Sequence, residues 1–583
     1  MSNNLIQLFV LFMMRFGVFI IVTTPLHILQ AQNSANVQDQ TVQEQLEAMR
    51  KEIADLKRNA NRTGPNTASP NTEQQGTGQN IGGTTTQESL LGGERRSMKT
   101  PPDDRQGAAI QNERNNLDHE ARLSVVERKE ELIEEDLAKK AATTPIVSFD
   151  EKGFVVKSAD GQHALRLGGL LQLDQREFLG SDNDANNVFL VRRARVYASG
   201  TIWKYIDFRF QPEFGLVDAQ NTRNTAFIAD ATLNFNVQKE FQVMIGKMKP
   251  PGGLEMLQAA QNIMFIERGP LQQLQPNRQL GFMPNGLLFD DTLNWAVGVF
   301  ASAPNNYSQT IDIGNGYGVM GRLFARPFVN DADELTGLGF GVSGAYSNLD
   351  DYNSSGGSAI SNGLNTYASD PGVVFFSWNS AAQRNGAMYR IIPQAYYYCG
   401  PWGVMTEYVV QSQGLSLNSG NATTQRQIRD TSWGWQANVT YNITGEDNTF
   451  DNPIPTRNFD FFQSEDEDAV GLWQIGFRAD QIQLDSDLFR QPTPGGSNTF
   501  VASGNASQNA RGFHSYTLGL SWWMNPNVRL QLNATYTLWD YSSNFGSSSV
   551  GGSANGSGNN SPGQGNSISN DEIAFAARVG FSF

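Results

Sequence analysis

The side chains best suited to chemistry in this sequence are arginines and lysines crowded into its middle. Between Val188 and Asp290 there are eleven basic residues and eight acidic ones, although the whole chain of 583 residues carries a formal net charge of -15. A guanidinium can hold two oxygens of an oxyanion with its planar fork, and an ammonium acts as a compact point charge. Because an ion responds to the charges nearest to it, this local excess predicts an anion-binding surface.

One predicted strand carries two of the best candidates. Because side chains alternate between the two faces of a strand, Arg193, Arg195 and Tyr197 share one face, which we predict to be the wet one. The opposite face is predicted to be the dry one. It carries Leu190, Arg192, Ala194 and Val196.

A long segment from Met248 to Phe282 supplies most of the other candidates. It opens with two prolines and two glycines at 250–253, and we predict that it folds inward as a constriction. The complete set of predicted anion-binding or pore-lining residues is Arg193, Arg195, Arg209, Lys247, Lys249, Arg268 and Arg278. A structural alternative stays open, because buried charges usually need partners. In that alternative these cations pair with carboxylates and fix the segment to the wall, the carboxylates being Asp207, Glu213 and Glu267.

From His163 onward apolar and polar residues alternate, which is the period of a β-strand. In 572–583 the apolar positions include Ile573, Phe575 and Phe581, and polar or small residues lie between them. One face of such a strand favours hydrocarbon and the other favours water, as in the wall of a transmembrane barrel. The same alternation recurs in residues 206–211, 433–443 and 528–538.

The connections between strands distinguish a barrel from a soluble sandwich, which also alternates. Tryptophans gather near turns, as at Trp402, Trp522 and Trp539, where the interfacial girdles of a barrel lie. Short connections such as 525–527 contrast with long polar ones such as 545–570. The predicted fold class is therefore all-β, a transmembrane antiparallel β-barrel of about sixteen strands, with about fourteen or eighteen also compatible with the length.

The N-terminal part of the chain precedes this barrel and differs from it in composition. An apolar run interrupted by Arg15 predicts a secretory signal peptide, with initiation at Met13 or Met14 as one variant and a retained membrane anchor as the alternative. Apolar residues at heptad spacing then predict a short coiled-coil helix, or else a solvated lone helix. The predicted organisation is a signal peptide at 1–31, the short coiled-coil helix at 32–60, a disordered linker at 61–116, a charged helix at 117–142 and the outer-membrane β-barrel at 148–583.

Composition argues against several other classes of protein. The net negative charge argues against a nucleic-acid partner, whose phosphates attract basic surfaces. The four histidines, His27, His119, His163 and His514, lie in no recognisable nucleophile motif, and Cys399 is interpreted as a packing residue. We therefore predict no enzyme, no metal and no cofactor.

Several short motifs occur in a particular order between Leu165 and Phe583. They are Leu170-Leu171-Gln172-Leu173-Asp174, Arg192-Arg193-Ala194-Arg195 with Gly200, Gly246-Lys247-Met248-Lys249-Pro250, Phe265-Ile266-Glu267-Arg268, Gly400-Pro401 with Glu407-Tyr408, and Asn525-Pro526-Asn527. In this order and spacing the stretch from Leu165 to Phe583 resembles the phosphate-selective porin O and P family of Gram-negative outer membranes. The terminal Phe583 resembles the C-terminal signal that barrel-assembly machinery reads.

The resemblance implies a trimeric, water-filled channel of sixteen strands, narrowed by a loop folded into its lumen. It implies a location in the bacterial outer membrane, with lipid around the barrel and small inorganic anions, such as phosphate or polyphosphate, passing through it. One departure from the family is that no lysine follows Lys249. Two alternatives stay open: a general porin without anion preference, and a structural barrel tethered to the cell wall by its N-terminal helices.

Overall fold

The computed structural model describes a chain that divides into two compact units. The first extends to Thr143 and the second runs from Thr144 to Phe583. The described residues are 44–58, 105–150, 152–179, 187–215, 226–302, 316–331, 334–349, 364, 366–379, 382–417, 426–451, 453–459, 469–489, 509–541 and 571–583. The predicted signal peptide and most of the predicted linker lie outside these residues.

The first unit contains two helices, α1 at 44–58 and α2 at Arg105–Thr143. Arg50 of α1 contacts Glu130 and Glu134 of α2, and Lys57 contacts Glu127, each with a nitrogen–oxygen distance of 2.9 Å. Because the α2 partners move back along the chain as α1 advances, the helices run antiparallel. In the described part of the chain, no helix is both long enough and apolar enough to cross a bilayer.

The heptad positions of α1 are buried within this helical pair. Leu46, Ile53 and Leu56 are each 8% exposed. Pairing of this seam with another copy of the chain stays a prediction. The second helix begins at Arg105 and not at 117, so 105–116 are helical where the sequence predicted linker. The reason is local, since the first turns carry alanine, glutamine and glutamate, which favour helix, and no proline.

The second unit is built from strands with a few short helical turns. The strands are β1 Ile146–Asp150, β2 Gly153–Lys157, β3 Ala164–Leu179, β4 Val188–Ile202, β5 Ile206–Glu213, β6 Phe227–Gln238, β7 Phe241–Met248, β8 Gln279–Leu288, β9 Leu293–Ala301, β10 Tyr317–Ala325, β11 Leu338–Leu349, β12 Tyr367–Ala368, β13 Val374–Phe376, β14 Ala382–Cys399, β15 Trp402–Leu417, β16 Arg426–Asn442, β17 Leu472–Gln483, β18 Ala510–Trp523, β19 Val528–Tyr541 and β20 Asp571–Ser582. The helical turns are α3 at Leu254–Leu257 and 3-10 turns at Pro270–Leu274, Glu334–Gly337 and Ser486–Phe489.

Sixteen strands of the described residues close into one antiparallel barrel, which confirms the predicted fold class. They are β3 to β11 and β14 to β20, and each pairs with its neighbours along the chain. The last strand closes the ring on the first, with Ile573 opposite Leu179 and Ser582 opposite Leu170. Closure removes sheet edges, for which lipid offers no hydrogen-bond partner.

The two faces of the wall differ as the alternation predicted. On β20 Ile573, Phe575 and Phe581 are 39–43% exposed, whereas Glu572 and Arg578 are buried at 3% and 2%. Large apolar side chains therefore point outward and polar ones point into the lumen. This is the arrangement expected of a wall with lipid on one side and a polar interior on the other.

The predicted parity of β4 is wrong at one place. The pairing of β3 with β4 shifts register between Gln172 and Leu173, which face Arg193 and Val191. Arg192 is therefore the extra residue of a β-bulge, which reorients side chains locally. As a result Arg192 and Leu190 lie on the lumen side with Arg193, and not on the outer face.

The connections at the two ends of the barrel differ in length. The end that carries the turns 203–205, 239–240, 400–401 and 524–527 has mostly short connections. The connection from β16 to β17 lies at this same end, because Trp402 faces Tyr441 and Leu472 faces Trp523. Unlike the others, this connection is long. Its described part reaches the lumen at Phe450, which stacks on Tyr396, whereas Phe459 packs on the outward-facing Trp522.

Two segments occupy the lumen, and a third reaches it at Phe450. Lumen loop 1 is the connection 249–278, lumen loop 2 is the segment 366–379, and lumen loop 3 comprises 443–451 and 453–459. Loop 2 brings aromatic side chains into a buried apolar core inside the barrel, where Phe375 packs on Phe513 and Trp539. Loop 3 is joined to loop 1 by a hydrogen bond from Gln258 Nε2 to the carbonyl oxygen of Phe450, 2.7 Å long.

Candidate functional site

Lumen loop 1 crosses the interior, as predicted, and touches the wall on many sides. Ser343 of β11 donates to the carbonyl of Gly252 at 3.0 Å, and Arg529 of β19 donates to the carbonyl of Ile263 at 2.8 Å. The backbone comes so close to the wall that a Cβ on Gly253 would lie 2.2 Å from Glu407 Oε1. Glycine at 253 therefore permits an approach that a side chain would hinder.

One carboxylate holds the far part of loop 1 against the seam of the barrel. Glu267 accepts from Arg192 at 2.6 Å, from Arg176 and Arg578 at 2.9 Å, and from Arg193 at 3.2 Å. Burial alone would raise the pKa of Glu267, but the attraction of Arg192 and Arg193 lowers that pKa well below its ordinary value. Arg193, predicted to contact an anion, is thus held by a carboxylate, and its guanidinium also donates to Gln172 at 2.7 Å.

A second group of cations lies between loop 1 and the strands from β4 to β8, and we call it the cationic cluster. Its members interact electrostatically with one another and with Glu213 and Asp230, and Arg268 also interacts with Glu255 and Glu267. The cluster comprises Arg195, Arg209, Lys247, Lys249, Arg268 and Arg278, with the carboxylates Glu213 and Asp230. Six of the seven predicted residues are thus brought together. The seventh, Arg193, lies in a set that we call the Glu267 group, which comprises Glu267, Asp174 and the arginines Arg176, Arg192, Arg193 and Arg578.

Two members of the cationic cluster are firmly paired. Arg195 contacts the carboxylate of Glu213, which also accepts from the backbone N–H of Ala194 at 2.9 Å. Arg278 holds Asp230 with its Nε at 2.8 Å. For these two residues the structural alternative, in which the cation fixes the wall or the loop, describes the kind of contact observed, but the partner of Arg278 is Asp230 and not one of the predicted carboxylates.

Two other members bind only backbone oxygens among the described contacts. Lys249 Nζ donates to the carbonyls of Leu257 at 3.2 Å and Gln258 at 2.6 Å, and Arg268 donates to those of Glu255 and Gln258 at 2.8 Å. Burial, together with repulsion from Arg268 and Arg278, lowers the pKa of Lys249 well below its ordinary value. Burial and repulsion from Arg278 lower the pKa of Arg268 to about 10.

The last two members are held more loosely. Arg209 is 43% exposed in its side chain, lies 4.0 Å from Asp230, stacks over the ring of Tyr197 at 5.0 Å and donates to the neutral Gln211 Oε1 at 2.5 Å. Lys247 is buried with its ammonium 5.6 Å from the ring centroid of Phe227. Cation–π contact stabilises a cation without neutralising it, so both charges remain available to an anion.

The space left in the lumen lies beside this cationic cluster. Lumen-facing side chains of β14 to β20, such as Gln411, Gln436 and Thr517, are buried under the lumen loops. Several polar lumen-facing side chains of β6 to β10 keep partial exposure, among them Asn234, Gln242, Asn285, Asn294 and Arg322, whereas apolar ones such as Met283, Phe300 and Met320 are buried. The open side of the described interior is therefore the side on which Arg209 and Lys249 lie.

Several arginines that sequence analysis did not select also form buried ion pairs inside the barrel. Arg478 of β17 contacts Asp370 and Asp480 and lies 3.5 Å from Glu255, and Arg578 holds Asp174 at 2.6 Å. Alternation would have placed both arginines on the lumen face. Their carboxylate partners in the loops lie between 108 and 311 residues away, so local spacing gives no signal for the pairing. Within the described residues no three His, Cys, Asp or Glu side chains are placed to hold a metal ion.

The barrel, its apolar exterior and its charged interior define an outer-membrane channel. Residues 165–544 match the family described as phosphate-selective porin O and P, and the chain belongs to that family. It is a protein of the bacterial outer membrane. A search of curated proteins finds no sequence match.

Solved structures to which the chain is similar include three porin-type barrels. The anion-selective porin from Comamonas acidovorans is 9% identical, with 72% of this chain and 100% of that one covered and a TM-score of 0.39. Salmonella typhi OmpF in complex with daunomycin is 12% identical, with 75% and 100% covered and a TM-score of 0.41. The outer-membrane channel DcaP of Acinetobacter baumannii is 10% identical, with 73% and 99% covered and a TM-score of 0.40.

Proposed function

We propose that this protein is a diffusion channel that prefers small anions over cations. The observation that carries the proposal is the composition of the cationic cluster, in which six basic side chains beside the open part of the lumen interact with four carboxylates, those of Glu213, Asp230, Glu255 and Glu267. An ion entering a narrow pore loses hydration, and fixed charges must replace it. An excess of cationic hydrogen-bond donors in the cationic cluster therefore favours an anion over a cation at that point of the pore.

The six predicted residues of the cluster have two different roles in this proposal. Arg195 and Arg278 shape the wall and the loop, because carboxylates hold them. Arg209, Lys247, Lys249 and Arg268 supply the field and the donors that an anion meets. Arg193 belongs to the Glu267 group, which holds four arginines and only two carboxylates, Asp174 and Glu267. It therefore contributes to the positive electrostatic field in the lumen without touching the anion.

The proposal is tested by the reversal potential of the purified protein in planar bilayers under a KCl gradient. The wild type is expected to show the sign of chloride preference. Arg209→Gln should move the reversal potential toward zero, because Arg209 is exposed in the lumen and only weakly paired. A reversal potential with the sign of potassium preference in the wild type contradicts the proposal.

A matched control removes the same charge from the opposite face of the wall. Arg429 lies on the outward-facing side of β16, where its guanidinium donates to Ser412 at 2.9 Å and stacks over Tyr389 at 5.2 Å. Arg429→Gln should leave the reversal potential unchanged. An equal shift in both variants would show that the location of the charge in the lumen is irrelevant.

Phosphate is the finer part of the proposal, and its support is membership of the family. The forks of Arg209 and Arg268 suit oxyanions that offer two oxygens at once. Inorganic phosphate, or a polyphosphate, is therefore expected to reduce the chloride current by occupying the pore. A chloride current that is indifferent to added phosphate would leave a general anion channel as the function.

We also propose that the channel works as a homotrimer surrounded by outer-membrane lipid, as membership of the family suggests. Native mass spectrometry of the detergent-extracted protein tests this assembly. A mass of three chains supports the proposal, and a mass of one chain contradicts it.

A further inference from the structure

Two lumen loops meet at one buried arginine of the wall. The side chain of Arg478 on β17 is 0% exposed, and its guanidinium lies 4.6 Å over the ring of Phe265 in lumen loop 1. Its Nη1 donates to the carbonyl of Glu267 at 3.0 Å and lies 3.5 Å from the carboxylate of Glu255. Three separate contacts of one side chain therefore hold loop 1.

The other side of the same guanidinium holds lumen loop 2. Nη2 of Arg478 donates to the carboxylate of Asp370, which is buried. Nε donates at 3.1 Å to Asp480, two residues away on the same strand, and Asp480 also accepts from Ser515. The wall thus fixes the orientation of the guanidinium, and the guanidinium fixes Asp370.

A second arginine reaches the same place from another strand. Arg176 of β3 donates to the carbonyl of Pro371 in loop 2 at 2.8 Å and to the carboxylate of Glu267 in loop 1 at 2.9 Å. The 370–371 segment of loop 2 and the region around Glu267 of loop 1 are therefore held by two wall arginines, each of which touches both loops.

We propose that Arg478 is the positioning residue that couples the two lumen loops and so sets the width of the pore. Arg478 touches three carboxylates, Glu255, Asp370 and Asp480, which would be left together in a buried place without it. Breaking a buried ion pair from one side leaves uncompensated charge. Loss of Arg478 therefore drives loop 2 away from loop 1 and opens the path beside them. This role does not depend on which ion permeates.

The decisive measurement is single-channel conductance of the full-length protein. Arg478→Gln is expected to raise the conductance by roughly a factor of two and to add open-state noise, since a narrow pore is sensitive to the position of its lining. Arg478→Lys should behave in the same way, because one ammonium cannot reproduce the separate contacts of the fork. Wild-type conductance and noise in both variants would overturn the proposal.

Arg322 provides the matched control. It is a lumen-facing arginine of β10, and it donates to Gln394 at 3.2 Å and Asn294 at 3.2 Å, which are wall residues and not loop residues. Arg322→Gln should change selectivity but leave conductance and noise at the wild-type level. An equal rise in conductance in Arg322→Gln would mean that any lost lumen charge widens the pore, and would also overturn the proposal.

A variant on the loop side covers the case in which the Arg478 variants do not fold. Asp370→Asn leaves every wall strand intact and weakens only the link from loop 2 to Arg478. It should give the same rise in conductance and noise while the barrel keeps its resistance to unfolding by sodium dodecyl sulfate. A folded Asp370→Asn channel with wild-type conductance contradicts the coupling. The anion proposal is tested by the reversal potential, whereas the coupling is tested by conductance and noise. The anion proposal can therefore fail while the coupling stands.

Discussion

At the scale of single residues, Lys249 combines a position beside the open lumen with a charge that is easily lost. It follows β7 directly, its only described hydrogen bonds are to backbone carbonyls, and its neighbours Arg268 and Arg278 are cations. Burial and these two neighbours lower its pKa well below its ordinary value. Since a lowered pKa favours the neutral amine, Lys249 loses its charge at a lower pH than an exposed lysine, whose pKa is about 10.4.

The anion preference of the channel should therefore fall as the pH rises. The expected result is a reversal potential that moves toward zero at a pH where exposed lysines are still charged. Lys249→Arg should weaken this pH dependence, because a guanidinium keeps its proton to a higher pH than an ammonium in the same place. The measurement is the reversal potential in a KCl gradient from neutral to alkaline pH. A wild-type value that does not change, or a Lys249→Arg channel that changes equally, contradicts the prediction.

The candidate residues could be found from the sequence, but their partners could not. Charge counting and strand parity selected Arg193, Arg195 and Lys249 correctly as members of the interior. Parity failed at Arg192, because a β-bulge is a property of two paired strands and leaves no mark on the period of one. The partner of Arg192 is Glu267, a residue in a distant loop that only the folded barrel brings near.

At the scale of elements, the seam between β3 and β4 depends on the absence of a side chain at Gly200. A Cβ there would lie 1.9 Å from the carbonyl oxygen of Ala164, which is backbone and cannot turn away. Gly321, on β10, is the contrasting case, since the nearest atom to its Cβ would be 3.5 Å away. Both glycines lie on outward-facing positions of barrel strands.

Gly200→Ala should therefore destabilise the barrel, by about 1–3 kcal/mol as overpacking usually does. Gly321→Ala has room for its methyl group and should leave the stability near that of the wild type. The measurement is the temperature at which the folded band is lost on a gel run in sodium dodecyl sulfate. Equal temperatures for the two variants would show that the contact at Ala164 yields without strain.

Strands were more accessible to sequence analysis than loops for a physical reason. A strand in this wall has lipid on one side and polar surroundings on the other, so its own period reports its environment. A loop carries no such period. Lumen loop 1 was predicted to fold inward from its length, its prolines and its charges, but loops 2 and 3 were not, because their inward path depends on cores such as that of Phe375 with Phe513 and Trp539.

At the scale of the whole molecule, the sixteen described strands that close the barrel all belong to the second unit. The pairing of β20 with β3 joins residues 170–179 to 573–582, and the remaining neighbours pair in chain order. The polar contacts that hold lumen loop 1 also come from the second unit. The channel activity and the helical unit are therefore separable, and this bears on the alternative in which the protein is mainly a tether to the cell wall.

Removal of residues 32–143 should leave the conductance, the reversal potential and the heat resistance of the barrel at wild-type values. The physical reason is that the wall hydrogen bonds and the described ion pairs of the cationic cluster lie after Thr144.

If the helices serve as a tether, the shortened protein should be lost from the fraction that sediments with purified cell wall, while the full-length protein stays in it. A shortened protein that folds but conducts differently would contradict separability, because it would show that the first unit acts on the pore. Normal conductance together with unchanged sedimentation would exclude the tether while leaving the channel intact.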